Sequence, residues 1–314
     1  MFRNLLRFRS VSIPGQPLLV LLVFALLLKR PVTTCDKHDR ESACPKESSS
    51  LCRFNATVPA TVPFKICTHD PEEDIYVSRA ILTGQNFDEH ISSTIYHVLS
   101  SRHPATPVYV DIGGNIGFFT LLAASMGATT ISFEPLLANY QLLSRSVVLN
   151  NYLNSKLFFA ALADRVEVVD LYKWNDNFGS TFVALKNDSR VNMDGVSYQA
   201  SGFTVQLDSL IDFAIDLLKI DCEGCETRAM LGARSLISSK KLKTLVVEVQ
   251  TFVGSRQSRV EAFKLFDLAG YYVFNLQQQP VKYSPWTWEE LYKVLNGESL
   301  VLELVITIEP TLFR

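Results

Sequence analysis

The chain has 314 residues, of which 47% are hydrophobic, and its formal net charge is −2. This length can bury a sizeable core in one large domain or two modest ones. The nearly balanced charge gives no overall attraction to a polyanion, so the composition argues against nucleic acid as a partner.

The first thirty residues combine a basic start with an apolar run. Arginines at positions 3, 7 and 9 precede an uninterrupted apolar stretch, residues 18–28. This stretch is shorter than the roughly 20 residues that span a bilayer as a helix, and it is typical of a signal peptide. Counted from Val11 across the Pro and Gly interruptions it is longer, so an uncleaved anchor also stays open. We predict that 1–30 is a signal peptide or signal anchor. The protein would then be secreted, or a single-pass type II membrane protein of the ER or Golgi.

Residues 31–66 are predicted to form a polar stem before a globular domain at 67–314. The stem is rich in Ser, Thr, Pro and charged residues and shows no helical or alternating pattern. Glycosylation acceptor triplets at Asn55 and Asn187 agree with a secretory route. An oxidising lumen would favour disulfides, in any of three pairings, among Cys35, Cys44, Cys52 and Cys67. The alternative is four unrelated thiols in a disordered stem.

The rest of the chain has the pattern of an α/β domain. Helices are predicted at 88–102, 115–127, 136–151 and 257–269. Strands are predicted at 108–113, 129–135, 157–162, 166–174, 216–221, 244–250, 271–276 and 300–308. The Asn-, Ser-, Asp- and Gly-rich residues 175–203 are predicted to be an inserted loop. Apolar strands followed by helices predict a mainly parallel sheet with helices on both faces, and the last two strands would supply an antiparallel edge.

A glycine turn, DIGGNIG at 111–117, follows the first of the regular core strands. Ligands bind at the carboxyl ends of strands in such sheets, and glycines let the backbone approach a ligand closely. Here the acid, Asp111, precedes the first glycine, which is not the arrangement of the G-x-G-x-x-G motif. This order favours the binding of a cationic or hydroxyl-bearing group over a pyrophosphate. Glu134 ends the next strand, where its carboxylate could accept two ribose hydroxyls. Together these residues suit S-adenosylmethionine; the alternative for the turn is a tight strand–helix connection.

Eight short motifs lie in order between residues 75 and 250: VDIGGNIGFFTL, ISFEP, VVLNN, AALAD, TVQLDSL, LLKIDCEGCE, LGA and VVEV. In order and spacing they resemble the FkbM-type S-adenosylmethionine-dependent methyltransferases. The resemblance implies a class I, Rossmann-like methyltransferase sheet and methyl transfer to a hydroxyl oxygen, often on a sugar or natural product.

The resemblance also implies roles for individual residues. The methionine part of the cofactor would be held by Asp111, Gly113, Gly114, Asn115 and Gly117. Glu134 would hold the ribose, and Asp164 would lie near the adenine. This chain has Gly114 where the family usually has Ala, and Cys222 and Cys225 where Val and Ala are common.

The stretch LLKIDCEGCETRAM, residues 217–230, places acids at the end of a core strand. Asp221 would face the reacting methyl group, and period-2 alternation puts Lys219 and Glu223 on the same side. An attacking hydroxyl must lose its proton, and a carboxylate within hydrogen-bond reach is the simplest base. Asp221 is our first choice for this base and Glu248, at the end of the neighbouring strand, our second. Lys219 would orient the acceptor or pair with an acid.

Alternatives stay open for several residues of this stretch. Asp221 or Glu223 would instead cap the helix that begins near Cys225. Cys222 and Cys225 are interpreted as a reduced packing pair or a local disulfide, because no second Cys-x-x-Cys or paired-histidine partner for zinc is present. A divalent metal held by an acid pair also stays open, although no third ligand is evident.

These features predict an S-adenosylmethionine-dependent O-methyltransferase of the secretory pathway. Its acceptor would be a glycan, a glycolipid or a small molecule, and its N-terminal segment would allow membrane association. The alternatives are an inactive methyltransferase fold that binds ligands, or a secretory glycosyltransferase, for which no convincing D-x-D-like motif is present.

Overall fold

The structure is a computed structural model. It describes Cys52, 54–56, Thr61 and 63–313, apart from 85–86, 176, 185–187 and 298–300. The predicted signal or anchor segment, Cys35, Cys44 and Asn187 lie outside the described residues. Within the described part of the chain, no helix has the length and apolar character needed to cross a bilayer.

Strands and helices alternate as predicted from residue 108 to residue 158 and again from residue 196 to residue 277, whereas, among the described residues, the five strands between 155 and 205 follow one another without an intervening α-helix. The strands are β1 (Phe54–Ala56), β2 (Phe64–Ile66), β3 (Val108–Ile112), β4 (Thr129–Phe133), β5 (Ser155–Phe158), β6 (Ala161–Leu162), β7 (Val168–Trp174), β8 (Thr181–Ala184), β9 (Val196–Val205), β10 (Ile215–Ile220), β11 (Leu242–Gln250), β12 (Tyr272–Gln277), β13 (Lys282–Trp286) and β14 (Val301–Thr307). The helices are α1 (Ser78–Leu82), α2 (Glu89–Ser100), α3 (Phe118–Ser125), α4 (Leu137–Leu149), α5 (Leu207–Leu210), α6 (Glu226–Leu231), α7 (Arg234–Ser238), α8 (Arg256–Leu268) and α9 (Trp288–Leu295).

The central sheet has eight strands in the order β13-β12-β14-β11-β10-β3-β4-β5. Strands β5, β4, β3, β10 and β11 are parallel, and β14 lies antiparallel between β11 and β12. The prediction of a mainly parallel sheet with an antiparallel edge is therefore confirmed. The strand order reverses between β3 and β10, and this switch point is where ligands bind in open α/β sheets.

Burial on both faces explains why the core strands are apolar. Every residue of β10 is buried. Leu218 and Ile220 pack in one cluster with residues of α6, α8 and α9, whereas Leu217 packs on the other face with α2, α3 and α4. Truncation of such a buried leucine to alanine costs roughly 2–5 kcal/mol.

The prediction that residues 175–203 form a loop is wrong. They contribute β8 and most of β9 to a second, four-stranded sheet in the order β6-β9-β7-β8, which we call the accessory sheet. The predicted strand 157–162 also divides, because β5 belongs to the central sheet and β6 to the accessory sheet. Most residues of β9 are only partly buried, so the strand lacks the continuous apolar run of a core strand.

Strands β1 and β2 pair antiparallel at the start of the described chain. Phe64 and Ile66 of β2 are buried in the cluster that contains α3 and α4. A disulfide joins Cys52 to Cys67. These contacts attach the last residues of the predicted stem to the globular part of the protein.

Candidate active site

The glycine turn lies between β3 and α3 at the switch point of the sheet. Gly113, Asn115 and Gly117 have positive φ angles of 80°, 49° and 99°. At Gly113 a Cβ atom would lie 1.8 Å from the backbone oxygen of Asp221, so no larger residue fits. The amide of Gly113 donates to the carbonyl of Phe133 at 3.1 Å. The turn is therefore folded tightly against the ends of β4 and β10.

Glu134 follows β4 and fixes the turn from the other side. Its Oε2 accepts a hydrogen bond from the amide of Asn115 and its Oε1 accepts one from the amide of Leu136, both at 2.8 Å. The residue is 4% exposed. Burial raises the pKa of Glu134 to about 7, although the two amides and the Asn139 side chain oppose this rise. A carboxylate has about four acceptor sites, so both oxygens retain capacity for ligand hydroxyls.

A cleft of about 330 Å³ opens above the turn. One side is formed by the glycine turn and Glu134, together with apolar groups of Phe133 and of residues 160–162. Its volume lies within the range of roughly 300–1,000 Å³ that is common for small-molecule and cofactor sites.

Lys219 and Asp221 lie at the carboxyl end of β10. The Nζ of Lys219 is 3.3 Å from Oδ2 of Asp221 and 3.7 Å from Oδ1 of Asp111. Burial lowers the pKa of Lys219, but Asp221 and Asp111 outweigh it and the net shift is upward. The lysine therefore stays protonated and cannot serve as a base. It pairs with an acid, which is one of the two predicted roles.

Asp111 lies beneath the cleft and is not among the residues that line it. Its side chain is fully buried, and Oδ2 accepts a hydrogen bond from Thr120 Oγ1 at 2.6 Å. Burial raises the pKa of Asp111, while Lys219 and Thr120 act in the opposite direction. In this position Asp111 supports Lys219. A contact between Asp111 and the methionine part of a cofactor stays a prediction of the family resemblance.

Glu223 and Glu248 join Asp221 in the lining of the cleft. Burial and the neighbouring Asp221 raise the pKa of Glu223 to about 7. Burial, with Asp221 and Glu223 nearby, raises the pKa of Glu248 to about 8. Oε2 of Glu223 accepts a hydrogen bond from Nε2 of Gln250 at 2.5 Å. Three carboxyl groups thus converge on the cleft, and two of them, Glu223 and Glu248, can exchange protons near neutral pH.

The loop after Asp221 is closed by a disulfide between Cys222 and Cys225. Of the two predicted states of this cysteine pair, the structure has the disulfide, and both residues line the cleft. Neither Asp221 nor Glu223 is the N-cap residue of α6, because this position is taken by Cys225, whose side chain makes no capping hydrogen bond. Instead Oε1 of Glu226 accepts the amide of Gly224 at 2.7 Å.

Asp164 is not brought into the cleft lining. Its carboxylate is paired with Arg228 at 2.7 Å. A contact between Asp164 and an adenine ring therefore stays a prediction of the family resemblance. Among the residues that the structure describes, no three His, Cys, Asp or Glu side chains are grouped so that they could hold a metal ion.

Sequence reasoning missed Asn139 and the accessory-sheet side of the cleft. Asn139 is 1% exposed. Its Oδ1 accepts a hydrogen bond from His69 Nε2 at 2.6 Å, and its Nδ2 donates to the carbonyl of Phe178 at 3.2 Å. The one sequence feature that could have indicated a role for Asn139 is its polar side chain in the otherwise mainly apolar first turn of α4. The lining also includes Asn177, Gly179, Thr181 and Val183, whose segment was predicted to be a loop.

The residues at this site fit S-adenosylmethionine. The turn cannot accept a Cβ at Gly113 and leaves its backbone at the cleft, and Glu134 presents a carboxylate beside it. The carboxylates opposite the turn provide a negative environment for a cationic sulfonium group. When bound, this cofactor supplies an electrophilic methyl group, and it would be held by residues 113–117 and Glu134.

Comparisons with known proteins agree with this site. A family model described as the Methyltransferase FkbM domain matches residues 111–273, just over half of the chain. A search of curated proteins returned no significant match.

Several solved structures are similar to this chain at low identity. The methyltransferase FkbM from Methylobacillus flagellatus KT shares 16% identity at a TM-score of 0.40, over 67% of this chain and 47% of that one. Precorrin-6y C5,15-methyltransferase from Geobacter metallireducens GS-15 shares 11% at a TM-score of 0.35, over 70% of this chain and 88% of that one. The SAM-dependent methyltransferase from Agrobacterium tumefaciens shares 13% at a TM-score of 0.34, over 83% of this chain and 71% of that one. The chain thus spans about half the length of the FkbM structure.

The glycine turn, Glu134 and the acidic end of β10 all fall within or bound the matched region. The chain belongs to the methyltransferase FkbM domain family, a family of S-adenosylmethionine-dependent methyltransferases.

Proposed function

We propose that the protein is an O-methyltransferase that acts on a hydroxyl group of a glycan, a glycolipid or a small molecule in the secretory pathway. The observation that supports this most directly is the convergence of Asp221, Glu223 and Glu248 on the cleft, opposite the glycine turn and Glu134. Carboxylates in this place can take the proton that an attacking hydroxyl must lose.

Asp221 is the proposed general base. Its side chain is 35% exposed, so it can reach a proton on a bound acceptor, while buried Lys219 holds it in place at 3.3 Å. Positioned general bases contribute roughly 10²–10⁴-fold to a rate. Glu248 is the second candidate, since its raised pKa makes it a stronger base once it is ionised.

The mouth of the cleft favours a neutral, hydroxyl-rich acceptor. Asp88 adds a further acid to the lining, and Tyr76, Phe87 and Phe118 add aromatic rings. Carboxylates accept hydrogen bonds from hydroxyl groups, and aromatic faces pack against apolar ring surfaces. An acceptor with phosphate, sulfate or carboxylate groups would meet like charge in the cleft.

The proposed location depends on sequence features together with the disulfides. The N-terminal segment and the two glycosylation triplets favour entry into the secretory pathway. The Cys52–Cys67 and Cys222–Cys225 disulfides are compatible with an oxidising compartment. Unglycosylated Asn55 and Asn187, with the catalytic domain in the cytosol, would contradict this location.

The test is the Asp221→Asn variant of the full chain. Methyl transfer from isotope-labelled S-adenosylmethionine would be measured against a panel of neutral glycans, glycolipids and polyols, and cofactor affinity by calorimetry. We expect the variant still to bind the cofactor and to lose transfer by roughly 10²–10⁴-fold. The matched control is Asp170→Asn, an exposed residue of β7 bonded to Ser201 at 2.8 Å, which should not affect transfer.

Unchanged transfer in Asp221→Asn would remove Asp221 as the base. Loss of transfer in Glu248→Gln alone would then assign the role to Glu248. A wild-type protein that binds the cofactor but methylates nothing in the panel would support the alternative, a methyltransferase fold retained for ligand binding.

A further inference from the structure

Arg190 reaches from the accessory sheet to the loop that follows Asp221. It lies in the short 3₁₀ turn Ser189–Asn192 between β8 and β9 and is 9% exposed. Its Nη1 donates to the backbone oxygen of Glu223 at 2.7 Å. Its Nη2 and Nε donate to the Asp188 carboxylate, the former at 2.8 Å. All three nitrogen atoms of the guanidinium group therefore donate hydrogen bonds.

The loop that Arg190 contacts has an unusual backbone. Glu223 has a φ angle of 56° and Gly224 one of 109°. A Cβ at Gly224 would lie 2.7 Å from Val253 Cγ1 and 3.0 Å from Arg190 Nη1, so the loop is held closely between these two side chains. A residue such as glutamate rarely adopts positive φ, and such conformations persist when surrounding contacts enforce them.

One face of the guanidinium group packs on an aromatic ring of β8, the strand that forms part of the cleft wall. The guanidinium carbon lies 4.1 Å from the ring centre of Phe182 in β8. Phe182 is buried between Thr181 and Val183, and both of these neighbours line the cleft. A continuous series of contacts thus runs from the β8 wall through Phe182 and Arg190 to the carbonyl of Glu223.

We propose that Arg190 is a positioning residue that holds the Asp221–Cys225 loop in its cleft-facing conformation and couples it to the β8 wall. Its importance for transfer depends on the proposed function, because the loop carries the proposed base. Arg190 also opposes the rise in the pKa of Glu223, which is consistent with this contact. A role confined to the accessory sheet would leave the loop unaffected when Arg190 is changed.

The disulfides of the chain provide a direct measure of loop opening. A dithiol reductant cleaves Cys222–Cys225 by two exchange steps, which leave two protein thiols and one oxidised, cyclic reductant. The released thiols would be alkylated with iodoacetamide and counted by peptide mass spectrometry. Cys52–Cys67 lies outside the loop and serves as an internal control for general unfolding.

Arg190→Lys is the informative variant in the full-length protein. Lysine keeps the charge but cannot bond Asp188 and Glu223 together as the planar fork does. We expect reduction of Cys222–Cys225 to become roughly tenfold faster, since the bond lost is charge-assisted and the loop reacts through local opening. Reduction of Cys52–Cys67 should not change. Arg165→Lys, which alters an exposed arginine paired with Glu167, should change neither rate.

Two results would overturn the proposal: equal acceleration of both disulfides, which indicates general destabilisation, or no acceleration of either. Hydrogen exchange of the amides in residues 222–226 gives a second measure that does not depend on the cysteines, and faster exchange only there is the expected result. Calorimetry with S-adenosylmethionine separates the two proposals. If the wild-type protein does not bind the cofactor, the proposed function fails, whereas the disulfide and exchange measurements still decide the role of Arg190.

Discussion

Substitution of Gly114 by alanine tests the packing of the glycine turn. Gly114 is not among the glycines with positive φ, so its backbone permits alanine. An added Cβ would lie 2.2 Å from Ser132 Oγ, whereas its next neighbours, Leu143 Cδ2 and Ser132 Cβ, would lie at 3.5 Å and 3.6 Å, which are ordinary contacts. The whole clash is therefore with one oxygen atom. Overpacking of this kind costs roughly 1–3 kcal/mol.

Removal of that oxygen should reverse the effect. Ser132 is fully buried, and its Oγ has no hydrogen-bond partner among the residues that the structure describes, so Ser132→Ala alone should cost little or stabilise the protein. In the double variant Gly114→Ala/Ser132→Ala only ordinary contacts remain, and we expect wild-type stability. The coupling energy between the two sites should then be about 1–3 kcal/mol.

Thermal or urea unfolding of the full chain measures these energies. The single Gly114→Ala variant should lose roughly 2–4 °C of melting temperature for each kcal/mol, and the double variant should recover it. A double variant as unstable as Gly114→Ala would refute the reasoning. The same contact gives a physical reason why glycine stands where the resembled family usually has alanine.

Two further predictions follow from the cleft. The ordinary pKa of a glutamate, which applies in the unfolded chain, is 4.5, whereas the pKa values of Glu223 and Glu248 in the folded protein are about 7 and about 8. Unfolding therefore releases protons at pH values between 4.5 and about 8. The free energy of unfolding should therefore fall as the pH rises from about 5 to about 8, and the decline should be smaller in Glu248→Gln. Urea titrations at several pH values would check this. A free energy of unfolding that rises over this pH range would contradict it. Because Cys222 and Cys225 line the cleft, saturating S-adenosylmethionine should slow reduction of their disulfide without protecting Cys52–Cys67. Alkylation followed by mass spectrometry would show this, and equal rates with and without cofactor would count against binding in this cleft.

The sequence was sufficient to predict the strands of the central sheet except β13, together with the positions where β4 and β10 end. β10 is buried throughout and therefore reads as a continuous apolar run, so its end at Asp221 could be placed. Glu134 and Asp221 could then be placed at the same edge of the sheet, because the carboxyl ends of parallel strands lie on the same side.

The role of Asp111 was less accessible, because it depends on register. Asp111 lies inside β3 and pairs with Lys219 of β10, one step before the strand end. It is therefore covered by the turn, while Asp221 is exposed to the cleft. Sequence position alone placed both acids at strand ends and could not separate a supporting carboxylate from one that faces a ligand.

The accessory sheet and the contacts of Arg190 could not be predicted from local pattern. Polar, partly exposed strands such as β9 resemble loops in composition. Arg190 contacts Glu223 across 33 positions of sequence, and no spacing rule links them. In contrast α9 had an available signal, since Thr287 and Glu290 form a capping box at its start.

Calorimetric titration of the full-length protein with S-adenosylmethionine tests the central claim most directly. We expect a single binding site, weakened at least about tenfold by Glu134→Ala, because charge-assisted hydrogen bonds are lost at the cleft. Glu261→Ala, an exposed partner of Arg234 at 3.0 Å outside the cleft, should bind like the wild type. A wild-type protein that does not bind S-adenosylmethionine, or whose affinity is unaffected by Glu134→Ala, would contradict the assignment of this cleft as the cofactor site.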